Sequence, residues 1–216
     1  MPNQTKQTTF KQLLVEEIRD LYDAERQLTK ALPKLARAAT SDSLREALES
    51  HLQETQGHVE ELETVFEAIG ERPRGKHCAG IAGIVEEGSQ LIGEDFDGAV
   101  LDAGIIAGAQ RAEHYEMAAY GSVIAWANVL GLSDIVPTLE KILEEEKAAD
   151  QKLTSIGEES VNEQAAAEGG SGEEERDEDE EDTEDEEEEQ SAGSVGASGG
   201  RGKSNGRRGA AATRRR

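Results

Sequence analysis

The stretch LVEEIRDLYDAERQLTKALPKL, residues 14–35, places Leu14, Ile18, Leu21, Leu28, Leu32 and Leu35 in alternating steps of four and three, with Glu25 at the one position of that series where a leucine belongs. The spacing is that of a helix burying one stripe in a core. A later stretch repeats the anomaly. Ile106, Glu113, Met117, Tyr120 and Ile124 fall within about 60° of one another on a helical wheel, so a second glutamate sits in an apolar stripe. Burying a lone carboxylate is costly, and the usual outcomes are protonation, pairing with a cation or coordination of a metal. Inward-facing glutamates from several helices suit the last of these.

Outward from these seams the chain divides into four long helical segments. The first spans Thr9 to Ala39, with Thr8 or Thr9 as its N-cap and Pro33 as a kink, since the stripe continues to Leu35. The second follows Thr40-Ser41-Asp42-Ser43, where Ser43 with Glu46 reads as a capping box. Its stripe is Leu44, Leu48, Leu52, Thr55, Val59, Leu62, Phe66 and Ile69, ended by Gly70. Arg72-Pro73-Arg74-Gly75 then break regularity, and a crossover up to Gly93 carries one short helix suggested by Ile81, Ile84, Val85 and Leu91. The third segment spans Phe96 to Leu130, and the fourth runs from Ile135 or Thr138 to Ile156 with the seam Leu139, Ile142, Glu146, Ala149, Leu153, Ile156.

Two helix hairpins joined by a long crossover predict an all-α, ferritin-like four-helix bundle. The hairpins read as distant repeats, with Ala24-Glu25 matching Ala112-Glu113 and Leu52-x-Glu54 matching Leu143-x-Glu145.

Composition bounds the rest. Residues 1–165 form the expected bundle domain, and residues 166–216 the expected disordered tail, with an acidic block at 173–189 and a basic, Gly/Arg-rich end at 201–216. The net charge is −24, most of it from residues 1–167, which argues against nucleic-acid binding through the folded surface. The basic end is the part that can touch nucleic acid or an acidic partner. One cysteine, Cys78, excludes an intrachain disulfide and fits a reducing compartment. No long apolar run and no leader pattern stand in the chain, so the expectation is a soluble cytoplasmic protein without membrane association.

Ferritin-like dimetal sites take one Glu from each of two helices and a Glu-x-x-His from each of the other two. Glu25 and Glu113 fit the first role. In the second helix Glu54 and His58 can ligate together, spaced by four rather than three; in the fourth, Glu146 with Asp150, or the adjacent Glu145, supplies oxygen where no histidine stands. Carboxylates with imidazole suit Fe or Mn. Tyr22, Tyr115 and Tyr120 read as packing residues, His51 and His114 as surface or supporting groups, and His77-Cys78 as a loop pair without the partners zinc requires.

The chain resembles the YciE/YciF family of stress-induced, ferritin-like proteins over about residues 8–160. The resemblance rests on Leu21-Tyr22-Asp23-Ala24-Glu25-Arg26-Gln27-Leu28, His51-Leu52-Gln53-Glu54-Thr55, Arg111-Ala112-Glu113-His114-Tyr115 and Leu143-Glu144-Glu145-Glu146. It implies a helical homodimer related in architecture to rubrerythrin and manganese catalase, a link to stress responses, and dimetal positions at Glu25, Glu54, Glu113 and one of Glu145 or Glu146. The chain departs from the Glu-x-x-His pattern at Gly57 and Ala148. The expected function is a stress-response protein with a dinuclear Fe or Mn site acting on peroxide or oxygen, a peroxidase- or catalase-like oxidoreductase. The competing expectation is a non-catalytic structural or binding module whose inward glutamates are protonated or paired with Arg26 and Arg111.

Overall fold

The computed structural model describes residues 9–96 and 98–170. Six α-helices follow in chain order: α1 (Phe10–Ala38), α2 (Asp42–Ala68), α3 (Ala79–Gly93), α4 (Gly98–Val129), α5 (Val136–Ile156) and α6 (Asn162–Gly170), the last two joined by a π-helical turn at Gly157–Val161. α1 and α2 form one hairpin and α4 and α5 the other, with α3 in the crossover, giving the ferritin-like four-helix bundle. Among the described residues no helix is long and apolar enough to cross a membrane.

The helix ends follow local chemistry. Thr9 caps α1 reciprocally, its hydroxyl accepting from the Gln12 N–H at 3.2 Å while the Gln12 side chain accepts from the Thr9 N–H at 2.7 Å. Pro33 lies inside α1 and does not end it. The cap of α2 is Ser41 rather than Ser43; its hydroxyl accepts from the Leu44 N–H, and Ser43 instead lies against it at 2.8 Å. Gly70 turns the chain out of α2 with φ +74, a conformation open to glycine at little steric cost.

The four seams bury two apolar clusters, one at each end of the bundle. Leu14, Ile18, Leu21, Leu62, Phe66, Tyr120, Val123, Leu139 and Ile142 belong to the first. Leu28, Leu32, Leu44, Leu48, Ile105, Ile106, Leu153 and Ile156 belong to the second. Along α1 and α5 the chain passes from the first cluster to the second, and along α2 and α4 from the second to the first. The crossover therefore has to return the chain along the bundle before α4 begins, which is why it is long. Between the clusters every seam turns polar.

Two carboxylates, buried Asp102 and exposed Glu168, tie the ends of this frame. Asp102 of α4 accepts from the Thr40 and Ser41 N–H groups at 2.8 and 2.7 Å and from the Thr40 hydroxyl at 2.7 Å, locking the α1–α2 turn to the start of α4. Glu168 of α6 accepts from the Ala99 N–H at 2.9 Å, one of the free donors at the N-terminus of α4. The chain thus stays helical past the boundary expected at residue 165, because the π turn carries α5 into α6 along α4. The remaining tail, including the acidic block and the basic end, lies outside the described residues.

Candidate metal centre

The polar band consists of Glu25 from α1, His51, Thr55 and His58 from α2, Glu113 and Glu116 from α4, and Glu146 from α5, all buried. Each occupies the next step of its own apolar seam, so the packing that buries the leucines buries these groups with them. Two sets of three have potential ligand atoms within 4.8 Å of one another: Glu25, His58 and Glu146, and His51, Glu113 and Glu146. Glu146 is common to both. One of its oxygens lies 3.0 Å from His58 Nδ1 and the other 3.7 Å from His51 Nε2. His58 Nδ1 is also 3.5 Å from Glu25 Oε1, and His51 Nε2 is 3.2 Å from Glu113 Oε1.

The outer nitrogen of each imidazole is held by a carboxylate. His58 Nε2 lies 3.0 Å from Glu145, which Lys141 anchors at 2.9 Å, and His51 Nδ1 lies 3.4 Å from Glu54. An imidazole that donates its outer N–H to a carboxylate presents its inner lone pair to the cluster, the arrangement that metal-binding histidines use. Tyr120 completes the band by donating its hydroxyl to Glu25.

The cluster is short of protons. Of the nine buried side-chain nitrogen and oxygen atoms without a hydrogen-bond partner among the described residues, seven belong to Glu25, His58, Glu113, Glu116 and Glu146. Each such atom costs about 1–3 kcal/mol when left unsatisfied, so a concentration of this kind demands a cation or protons. Burial raises the pKa of Glu25, and raises Glu146 to about 7 with the Glu113 charge adding to it. Burial also holds Glu116 well above the carboxylate range, helped by Glu25, Glu146 and Glu113. Burial opposes the His58 cation, yet Glu146 and Glu25 outweigh it and push the pKa up to about 10. His51 rises likewise, through Glu113 and Glu54.

The donor set fits a pair of divalent ions. Glu25, Glu113, Glu116 and Glu146 carry four negative charges when ionised, which two such ions balance with both imidazoles neutral. Oxygen and imidazole donors without thiolate match Fe or Mn. The cysteine is elsewhere, its thiol donating to Tyr115 at 3.2 Å.

The structure gathers four of the residues predicted from sequence, Glu25, His58, Glu113 and Glu146, into the band. Glu54 and Glu145 are partly exposed and face the outer nitrogens of His51 and His58. Asp150 lies off the cluster, accepting from Gln110 at 3.1 Å and standing 3.3 Å from His114. His114 is exposed as expected, but His51 is buried. Glu116, which sequence reading passed over, is also fully buried.

The signal for both was present. The buried seam of α2 is Leu44, Leu48, His51, Thr55, His58, Leu62, Val65, and that of α4 is Ile106, Ala109, Glu113, Glu116, Tyr120, Val123, Ala127. Both alternate steps of four and three, whereas the apolar neighbours Leu52, Val59, Met117 and Ile124 lie only half-buried. No lysine or arginine of the described residues pairs with the band. Arg26 lies over the Tyr22 ring at 5.6 Å, and Arg111 is 3.9 Å from Glu87. Tyr22 and Tyr115 bond Glu63 and Asp20 outside it.

Residues 9–166 match the domain family described as Domain of unknown function (DUF892). Protein YciF of Escherichia coli (strain K12) is 39% identical over 158 residues, which are 73% of this chain and 95% of that protein. The crystal structure of the E. coli stress protein YciF superposes with a TM-score of 0.70 at 38% identity, covering 72% of this chain and 99% of the other. YcfI from Rhodopseudomonas palustris superposes with a TM-score of 0.69 at 47% identity, covering 71% and 98% of the two chains. A Xanthomonas campestris protein shares the fold, with a TM-score of 0.61 at 18% identity over 75% of this chain and 99% of the other. With its helix order and these likenesses in agreement, the chain belongs to the YciE/YciF family.

Proposed function

We propose that the four seams assemble a carboxylate-bridged dinuclear centre for iron or manganese that acts on dioxygen or peroxide, with Glu146 shared between the two ions. The observation that supports it is the set of seven buried nitrogen and oxygen atoms without a hydrogen bond, concentrated in one band. Glu25, His58 and Glu146 would hold one ion, and His51, Glu113 and Glu146 the other, with Glu116 as a further carboxylate. Fe or Mn bound there supplies one-electron chemistry and open coordination positions. The chain's residues do the rest. The apolar clusters close the centre along the bundle on either side, Glu54 and Glu145 fix the imidazole tautomers, and the Tyr120 hydroxyl keeps its proton and steadies Glu25, since burial and the glutamates hold its pKa well above the usual range.

Elemental mass spectrometry on protein reloaded anaerobically with Fe or Mn tests the reading, beside a Glu25→Ala, Glu113→Ala double variant. About two ions per chain are expected, as in ferritin-like dimetal proteins, with loss in the variant; a parent protein that retains no ion sinks the proposal.

A second reading, a non-catalytic structural or binding module, is favoured by one observation. The raised pKa values of His51 and His58 let imidazolium neutralise the glutamates without metal. The R. palustris relative, provisionally described as a structural protein, agrees with this reading, and the same metal measurement decides between the two. A role in stress responses is proposed by analogy with the E. coli relative, which is described as a stress protein. The assembly proposed is a homodimer, checked by light scattering. The basic end at 201–216 is proposed to touch nucleic acid or an acidic partner, with binding that weakens as salt is added.

A further inference from the structure

Two cavities of unequal polarity reach the same corner of the candidate centre. One, between α1, α3 and α4, is a small space of about 40 Å³ lined both by exposed Lys34 and Ser89 and by buried His51 and Glu113. Between those residues its walls are apolar, with Leu32, Ile84, Leu91 and Ile105 among them. The other, between α2 and α5, is about 310 Å³ and also reaches His51 and Glu113, but its walls mix apolar residues such as Leu48 and Leu153 with Glu46, Ser50, Glu54 and Lys152, which makes it the more polar of the two.

α3 roofs the apolar cavity without filling it. It is rich in apolar residues, yet only Ile81 is fully buried. Small residues on α4 leave the floor open: a Cβ at Gly104 would lie 2.8 Å from the Leu91 side chain, so the helices close there, whereas a Cβ at Gly108 would meet nothing within 4 Å. A space of this volume is large enough for a few water-sized molecules, but water needs two or more polar partners, which the walls do not offer.

We propose that the apolar cavity admits dioxygen to the His51–Glu113 corner, while hydrated cations and peroxide enter by the polar cavity. A small apolar molecule loses little on leaving water for such walls, whereas a hydrated ion or a hydrogen-bonding peroxide would forfeit its partners. The inference rests on the dimetal reading and narrows its substrate to dioxygen at one of two entrances.

The test uses the full chain and variants at Gly108, a position outside the metal centre. Gly108→Leu should fill the cavity, and Gly108→Ala is the control with the same gain in helix propensity but too little bulk. Methyl NMR of the metal-free protein under xenon should shift Ile84, Leu91 and Ile105 in the parent and in Gly108→Ala, and not in Gly108→Leu. In stopped-flow, Gly108→Leu loaded with Fe(II) should react with dioxygen about tenfold more slowly or worse, with Fe(II) uptake and the peroxide reaction unchanged. Absence of the xenon shifts, or an unchanged dioxygen rate in Gly108→Leu, overturns the proposal. Failure of the parent to take up iron overturns the dimetal reading instead, and the xenon arm still decides whether an apolar ligand enters.

Discussion

The two halves of the candidate centre share Glu146 and use the same donor chemistry, yet one is closed and the other open. In the Glu25–His58 half, Tyr120 bonds the carboxylate, and the outer histidine nitrogen is 3.0 Å from a glutamate that a lysine anchors. In the His51–Glu113 half, the corresponding contact to Glu54 is 3.4 Å, and both cavities end there. Preorganisation and access are thus divided between neighbouring positions. In the proposed centre the rigid half would keep its ligands in place, and the open half would let an incoming molecule reach them.

Removing the shared residue gives the largest expected effect. Glu146→Ala should abolish binding in both halves, taking metal content from about two ions per chain to none. Elemental mass spectrometry that finds one ion retained would break the picture of a shared bridge.

Stability of the metal-free protein should fall as pH rises. Glu146 has a folded pKa raised to about 7, so the unfolded chain gives up this proton first, and stability declines between about pH 4.5 and 7. His58, raised to about 10, contributes stability that is complete below about pH 6.5 and is lost as pH climbs towards 10. Both trends have one sign, and unfolding free energies from urea titrations across this range should fall by several kcal/mol, on the order of 1.4 kcal/mol per unit of pKa difference. The upper part of the titration reports both halves, through His58 and the likewise raised His51. Saturating metal should reverse the slope, because ligation releases protons and tightens as pH rises. A flat profile without metal would mean that the band carries neither shift.

Glu116 offers a sharper contrast between stability and function. Both its oxygens lack partners in a fully buried position, so Glu116→Leu should stabilise the metal-free protein by about 1–4 kcal/mol while weakening metal retention. Calorimetry that shows a loss of stability instead would point to a bonded, structural carboxylate.

The smallest expected effects separate the two outer carboxylates. Glu145→Ala and Glu54→Ala should each weaken metal binding by about 10–100-fold, with Glu145→Ala towards the upper end because its contact with histidine is the shorter. Competition with a metal-chelating dye would measure both, and equal effects would erase the distinction between rigid and open halves.

Much of this was legible in the chain. The α1 and α5 seams are read correctly from spacing because each has a single polar interruption between apolar residues, Glu25 and Glu146. In α2 three consecutive seam positions are polar, His51, Thr55 and His58, and in α4 the adjacent pair Glu113 and Glu116, so a search for hydrophobic periodicity slides to the nearest apolar neighbour. Leu52 and Val59 then displace His51 and His58, and Met117 displaces Glu116. The error falls where polar residues take the buried positions. Glu168 escaped for a related reason: its surroundings in sequence are polar and small, and its partner, the Ala99 N–H, is distant along the chain.

The sequence by itself determined four amphipathic helices, their hairpin order and the presence of inward glutamates, because side-chain period and turn chemistry are local properties. Only the tertiary structure decided which polar groups meet. Helical periodicity sets the angle of a side chain about its own axis, but not the rotation or axial shift of that helix against its neighbours. Those are set by the packing of the two apolar clusters, which brings Glu25, His58, Glu113, Glu116, His51 and Glu146 to one level and leaves Asp150 outside it.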